Sequence, residues 1–307
     1  MRIAVMGSGA LGCYVGGRLL AADRDVSFIA RGKQLEALRR RGLKIESPLG
    51  NLTIPKLSVT SDPAEIGPVD LVIFLVKLYD TETAAHALAP VLGPRTAVVS
   101  FQNGVDAWSR IGHITGHDRI VGGVARLPAA LVEPGVVRNG GIAKLDFGEF
   151  DGSLSHRCKG LEHVLNVPGL EAQAVEDIIA RIWEKFVLLS AMSGVTALTR
   201  LPMGAVLNDP LCLELYRQAM QETAEIGARK CASLPEDVIE RQMAFSRSLP
   251  GSVKASMLED LEHGKRLELN DLSGAVVRLG RELGVPTPVH AVIHAALQPF
   301  VMGRPLS

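Results

Sequence analysis

The sequence predicts an α/β domain followed by an all-helical domain, and three observations carry that expectation. Short apolar runs of strand character alternate with helical periodicity through residues 1–176. A glycine-rich segment joins the first apolar run directly to the first helical pattern. From about Glu176 helical periodicity alone continues, so the second domain is placed at 177–307.

Composition bounds the reading. The chain has 307 residues, room for about two domains at ~100–200 residues each. Lys plus Arg (33) balance Asp plus Glu (33), which removes the bulk charge that nucleic-acid or membrane attraction requires. The run Arg39-Arg40-Arg41 reads as a solvated helix end, where cations complement the dipole. Cys13, Cys158, Cys212 and Cys231 have neither metal nor redox spacing and form no disulfide framework. No signal peptide is expected, because the first strand begins at Arg2. No apolar run is long enough to span a membrane, and the expected location is cytoplasmic.

The elements follow in order. Ile3, Ala4 and Val5 form a short strand that runs into Gly7-x-Gly9-x-x-Gly12, with Ser8, Ala10 and Leu11 between the glycines. Leu11, Val15, Leu19 and Leu20 mark the helix that follows, and Val26–Ala30 the next strand, ending at Arg31. Strand, glycine loop, helix and strand together form a Rossmann-type dinucleotide-binding unit. Gly7 makes the tight turn, Gly9 lets a pyrophosphate approach the backbone, and Gly12 lets the helix pack on the sheet. The helix N-terminus presents N–H groups and a positive dipole end to the phosphates. Arg31 stands where an NAD site carries an acid, and a guanidinium suits a 2′-phosphate, so NADP is expected over NAD.

Leu35 and Leu38 mark a further helix, and Lys44–Ile45 with Leu52–Ile54 a hairpin around Ser47-Pro48-Leu49-Gly50. Val69–Val76 and Arg95–Phe101 read as buried parallel strands around a helix over Thr81–Leu92. Ile120–Val124 opens an irregular β region with turns at Glu133-Pro134-Gly135 and Asn139-Gly140-Gly141. Leu145–Gly148 reads as the last well-formed strand, before a helix over Ser153–Asn166. In the second domain, breaks are expected at Ser193-Gly194, Leu201-Pro202, Leu249-Pro250-Gly251, Gly264 and Val285-Pro286. A ligand is expected outside the carboxyl ends of the strands, in the interdomain cleft.

Three places carry candidate chemistry. Lys77 ends a buried strand, either escaping to solvent or standing as a cation at the cofactor cleft. Asn103 lies in Ser100-Phe101-Gln102-Asn103-Gly104, either a turn signal or an amide that orients a substrate. Lys185 lies in an apolar helix that also carries Leu189 and Ser193 on the same face. A lysine there either snorkels or, desolvated, acts as an acid or base near neutral pH. Carbonyl reduction needs such a group, because hydride addition leaves an alkoxide to be stabilised and protonated. His113/His117 and His290/His294 have the i,i+4 spacing of metal ligands, but no third ligand accompanies either pair, and no metal is expected; the first pair also lies around Gly112 and Gly116, a poor helix. Trp108 and Trp183 read as packing residues, and Ser193-Gly194 lacks the strand context of a nucleophile elbow.

The whole set resembles the ketopantoate reductases (2-dehydropantoate 2-reductases). The resemblance rests on Gly7-x-Gly9-x-x-Gly12, Arg31, Val-Lys77, Gln-Asn103-Gly, Trp-x-Lys185, and Ala-Ser256-Met-Leu-x-Asp with Glu268 at the family's spacing. It implies NADPH-dependent reduction of a small 2-oxo acid in pantothenate biosynthesis. Arg31 and Lys77 would contact the 2′-phosphate. Lys185 would be the general acid, with Asn103 beside it. Ser256 would bind the substrate carboxylate, and Glu268 would orient substrate or lysine. Ser256 and Glu268 flank Gly264, where a helix break would let both face the cleft. The family's ketopantoate enzymes carry asparagines where this chain has Leu189 and Ser193. That departure predicts a 2-oxo acid with an apolar or differently placed polar substituent in preference to ketopantoate. Asp80 replaces a glutamine of the family, which would weaken NADP preference if it points inward. The alternatives are a related lysine-dependent dehydrogenase of another oxo or hydroxy acid, and a non-catalytic NADPH-binding protein. The partner is a small molecule, with a homodimer left open.

Overall fold

The computed structural model describes residues 1–304, and within it the chain divides into two units. The first takes Met1–Gln102 and Asp106–Ile178; the second takes Asn103–Val105 together with the chain from Ile179 on.

The first unit runs β1 (Arg2–Met6), α1 (Ala10–Ala21), β2 (Asp25–Ile29), α2 (Gly32–Arg41), β3 (Leu43–Glu46), β4 (Leu52–Ile54), β5 (Ser58–Thr60), β6 (Val69–Phe74), α3 (Thr81–Ala87) and β7 (Leu92–Ser100). It continues with α4 (Ala107–Thr115), β8 (Ile120–Arg126), β9 (Ala129–Glu133), β10 (Val136–Asn139), β11 (Lys144–Gly148), α5 (His156–Leu165) and β12 (Glu171–Ala174). Eight strands form one sheet in the order β12-β11-β8-β7-β6-β1-β2-β5. β1 pairs in parallel with both β2 and β6, and β6 in parallel with β7. The carboxyl ends of these four strands therefore lie along one edge, and the strand order reverses at β1, the topological switch point where α/β sheets bind ligands.

A second sheet, β4-β3-β10-β9, lies on the opposite side of α1 from the main one. A Cβ at Gly16 would come within 2.5 Å of the Phe28 ring in β2, and one at Gly17 within 2.6 Å of Ile45 in β3. α1 is thus squeezed between two sheets, and Gly16-Gly17 permits both approaches. This explains why Gly12 through Leu19 are all buried.

The structure corrects several expectations. Leu145–Gly148 is not the last strand of the unit, because β12 pairs in parallel with β11. β12 reads Glu-Ala-Gln-Ala, a short sheet-edge segment without the β-branched or aromatic residues that announce a strand. The helix expected over Thr81–Leu92 stops at Ala87, and a 3₁₀ turn, Ala89–Val91, follows around Pro90. α5 begins only at His156, where the Ser155 hydroxyl accepts from the Cys158 N–H. Gly112 does not prevent a helix: α4 runs through it and ends at Gly116, whose φ is +101°.

The second unit carries α6 (Ile178–Thr199), α7 (Met203–Asn208), α8 (Pro210–Lys230), α9 (Val238–Ser248), α10 (Ser256–Glu262), α11 (Ser273–Leu283) and α12 (Pro288–Leu297). The break expected at Ser193-Gly194 is absent, and α6 passes through it. Gly194 serves helix packing instead. A Cβ there would lie 2.9 Å from Ile293 of α12 and 3.1 Å from the Ser273 hydroxyl at the start of α11.

Buried polar groups tie α6 to α8 and α12. Ser190 and Thr223 hydroxyls lie 2.9 Å apart, and His290 Nε2 lies 3.1 Å from both Thr223 Oγ1 and the Ala219 carbonyl. The carbonyl can only accept, so Nε2 carries the proton and Nδ1 keeps a lone pair, which has no partner among the described residues. The Glu222 carboxylate accepts from Val289 N–H (2.7 Å) and His290 N–H (3.0 Å), capping α12.

Burial pushes the His290 imidazole from 6.5 down to about 4. Above 6.5 it is neutral folded or unfolded. Between 6.5 and about 4 the unfolded chain takes up a proton that the folded one refuses, so stability is lost as pH falls through that window. Burial raises the Glu222 carboxyl, which acts in the opposite sense. A His290→Gln variant is expected to flatten the dependence of Tm on pH in this window; an unchanged slope would place the acid sensitivity elsewhere.

Candidate active site

At the carboxyl edge of the sheet, each glycine of the first loop has a distinct steric role. Gly7 has φ +105°, and a Cβ there would lie 2.7 Å from the Leu75 and Val76 backbone. A Cβ at Gly12 would lie 1.9 Å from the Gly7 carbonyl, so helix and loop meet backbone to backbone. A Cβ at Gly9 meets no atom within 4 Å, so the space before it is open. α1 has no acid in its first turn and no side chain capping its N-terminus. The backbone around Gly9, Ala10 and Leu11 therefore fits a pyrophosphate, with helix N–H groups unused within the helix. Ser8 contributes only backbone to this cradle, because its buried hydroxyl donates to the Ile29 carbonyl at 3.0 Å.

Arg31 and Lys77 stand on either side of that loop in the strand order. Arg31 follows β2, is exposed, and is the N-cap residue of α2. Lys77 follows β6, is half-buried, and opens the 3₁₀ turn Leu78–Asp80, whose Asp80 is exposed. Two cations thus follow the strands on either side of β1, the switch point.

The loop carrying Lys77 is held by a residue that the sequence reading quoted but assigned no role. Gln102 is buried, and its amide nitrogen donates to the Val76 carbonyl and the Thr81 hydroxyl, both at 2.9 Å. Only the three-dimensional meeting of the segments after β6 and β7 shows this; the local signal was no more than a polar residue beside a turn.

In the second unit, Asn103 and Lys185 come together. Lys185 Nζ donates to Asn103 Oδ1 at 2.9 Å. An ammonium only donates, so the amide oxygen must face it and the Asn103 NH₂ is turned to the other side. α6 is unbroken, so Lys185, Leu189 and Ser193 form one row. Lys185 and Leu189 are half-buried, whereas Ser193 is fully buried and its hydroxyl has no partner among the described residues. Thr196 and Thr199 of the same helix bond back to the carbonyls of Met192 and Val195; Ser193 does not. Ser256 is exposed at the first position of α10. Gly264 has φ +63° and follows the end of α10, and Glu268 is 6% exposed in the segment leading to α11.

The His113 and His117 rings meet edge-on, with centroids 4.7 Å apart, whereas His290 and His294 take different partners. His113 Nδ1 bonds the Ser109 carbonyl at 2.7 Å, His290 is in the polar core above, and His294 Nε2 meets Asn270 Oδ1 at 2.9 Å. Among the described residues no three His, Cys, Asp or Glu are grouped to hold a metal, and no helix is long and apolar enough to cross a membrane.

Residues 3–152 match the family model described as ketopantoate reductase PanE/ApbA, and residues 177–300 match its C-terminal counterpart. The chain belongs to the ketopantoate reductase family. It is 36% identical to a 2-dehydropantoate 2-reductase of Archaeoglobus fulgidus over 292 residues, 95% of each chain. It shares 30% identity and a TM-score of 0.90 with the crystal structure of a PanE/ApbA family ketopantoate reductase from Ralstonia eutropha, covering 98% of both chains. The structure of 2-dehydropantoate 2-reductase from Geobacter metallireducens superposes with a TM-score of 0.91 at 29% identity, over 97% of this chain and 99% of that one.

Proposed function

We propose that this ketopantoate reductase homologue reduces 2-oxo acids to the 2-hydroxy acids with NADPH, 2-dehydropantoate, the acid named for its relatives, being one of its substrates. The observation that carries the proposal is the 2.9 Å Lys185–Asn103 hydrogen bond, which holds an ammonium in place beside an amide whose donor side is turned away from it. When bound, the reduced nicotinamide supplies a hydride to the carbonyl carbon. Lys185 stabilises the charge developing on the carbonyl oxygen and gives it a proton, so hydride and proton together complete the alcohol. Asn103 fixes the lysine and offers its NH₂ as a further donor. Ser256 binds the substrate carboxylate, and Glu268, a buried acid, orients the substrate or the lysine. Leu189 borders the substituent on the ketone carbon. The glycine loop carries the pyrophosphate, with Arg31 and Lys77 on the adenosine 2′-phosphate. A cytoplasmic location goes with this reading.

The direct test is the loss of NADPH absorbance on adding 2-dehydropantoate and a panel of other 2-oxo acids. Cofactor that binds but is never oxidised by any of them would leave a non-catalytic NADPH-binding protein.

The cofactor assignment has its own test. Arg31→Ala is expected to weaken NADPH by about tenfold while leaving NADH affinity and kcat close to unchanged, since one charge-assisted contact to a phosphate is lost. Titration of both cofactors decides it. Equal NADPH and NADH affinities in the unmutated protein would remove the 2′-phosphate site altogether.

A further inference from the structure

We propose that Gln102 is a positioning residue for cofactor selection: its side-chain amide clamps both ends of the loop that carries Lys77 and so fixes where that cation meets a 2′-phosphate. The inference rests on the reading that Lys77 serves the 2′-phosphate, and it adds a residue that touches neither cofactor nor substrate.

The geometry is specific. The four residues Lys77–Asp80 lie between Val76 and Thr81. Gln102 Nε2 has two protons, and two acceptors stand at 2.9 Å: the Val76 carbonyl at the loop's entry and Thr81 Oγ1 at its exit. Thr81 spends its own proton on the Leu78 carbonyl at 2.7 Å, so it must accept from Gln102, and the direction of every bond is determined. The far side of the amide is also used, since Oε1 accepts from the Ser100 hydroxyl at 3.3 Å. Arg110 adds a bond to the Leu78 carbonyl at 3.2 Å while paired with Glu82. The loop holds no regular strand pairing of its own, only the 3₁₀ turn Leu78–Asp80. One buried amide thus ties together the two ends of a short turn, and the side chain at its first position is Lys77. A phosphate recognised by a flexible lysine loses affinity as the lysine's base becomes mobile, because more freedom must be surrendered on binding. Glutamine is the side chain that can do this. Glutamate would set an anion against the Val76 carbonyl, and asparagine is one methylene shorter.

The test is a double-mutant cycle on the whole protein, with NADPH and NADH dissociation constants and kcat at saturating NADPH measured for Gln102→Met, Lys77→Met and the double variant. Gln102→Met keeps the length and removes both donors. The expected result is an NADPH Kd raised by about tenfold, with NADH Kd and kcat held within about twofold. In the Lys77→Met background the same change should leave the NADPH/NADH affinity ratio (Kd for NADH over Kd for NADPH) alone, since the cation being positioned is gone. A residue that only stabilised the fold would lower Tm without changing that ratio. If Gln102→Met folds poorly, the nearly isosteric Thr81→Val breaks one end of the clamp and should reduce the ratio by about threefold. The proposal is overturned if Gln102→Met keeps the NADPH/NADH ratio while Lys77→Met lowers it, or if both cofactors weaken equally. If Lys77→Met itself leaves the ratio unchanged, the 2′-phosphate reading fails and this inference falls with it.

Discussion

Lys185→Ala is expected to lower kcat by ~10²–10⁴-fold, the usual contribution of a positioned proton donor, with NADPH affinity close to unchanged. The reason lies in what the 2.9 Å bond to Asn103 does. On the proposed mechanism it holds the ammonium in one place before the reaction, so the charge that develops on the ketone oxygen would meet a donor needing no reorganisation. The loss should therefore appear equally in kcat and kcat/KM, the pattern of an interaction made in the transition state alone. Asn103→Ala should produce a smaller loss of the same pattern, because the lysine remains but loses the bond to Asn103 that helps to position it. Steady-state rates with separately measured NADPH Kd values check both. Full turnover in Lys185→Ala would remove the lysine from the mechanism and require another proton source.

Much of this site was legible in the sequence because its parts are local. The glycine loop follows a strand and opens a helix within a dozen residues, and the spacing of Gly7, Gly9 and Gly12 states their steric roles before any coordinates are known. At Gly12 the tightest approach is to the loop itself, a Cβ there lying 1.9 Å from the Gly7 carbonyl, with Val5 of β1 next at 3.2 Å. The Lys185 row was legible because helical periodicity places residues four apart on one face. The parts that were not legible are those that depend on distant segments. Gln102 acquires its role only when the segments after β6 and β7 come side by side, and β12 is a strand only because β11 supplies a partner. Gly194 read as a helix break because glycine lowers helix propensity, yet α11 and α12 pack so close to α6 there that a larger residue would collide with Ile293. Tertiary packing outweighed local preference in each case. Ser193 shows the same limit in the other direction: the apolar character of the helix announced burial, but not that this hydroxyl would be enclosed with no partner among the described residues.

That burial sharpens the expectation about substrate choice. Of the two positions beyond Lys185 in the row, Ser193 is enclosed, so the half-buried Leu189 is the one that borders space. On the proposed mechanism a leucine one helical turn from Lys185 would offer methyl groups to the substituent on the ketone carbon, and it can accept or donate no hydrogen bond. 2-Dehydropantoate carries a hydroxyl on that substituent, and trimethylpyruvate is the same acid without it. Leaving a hydroxyl unpaired on entering a protein site costs about 1–3 kcal/mol, whereas an apolar wall discriminates weakly against its absence. The unmutated protein is therefore expected to reduce trimethylpyruvate at least as efficiently as 2-dehydropantoate. Leu189→Asn, which places an amide at the same turn, should move the ratio of kcat/KM values toward 2-dehydropantoate by about tenfold or more. Both acids share the carboxylate, the ketone and the branched carbon, so the ratio isolates the hydroxyl and is indifferent to any loss of folded enzyme in the variant. An unmutated protein that already favours 2-dehydropantoate strongly, with a ratio that Leu189→Asn does not move, would mean that the hydroxyl is bound by another residue and that Leu189 serves packing alone.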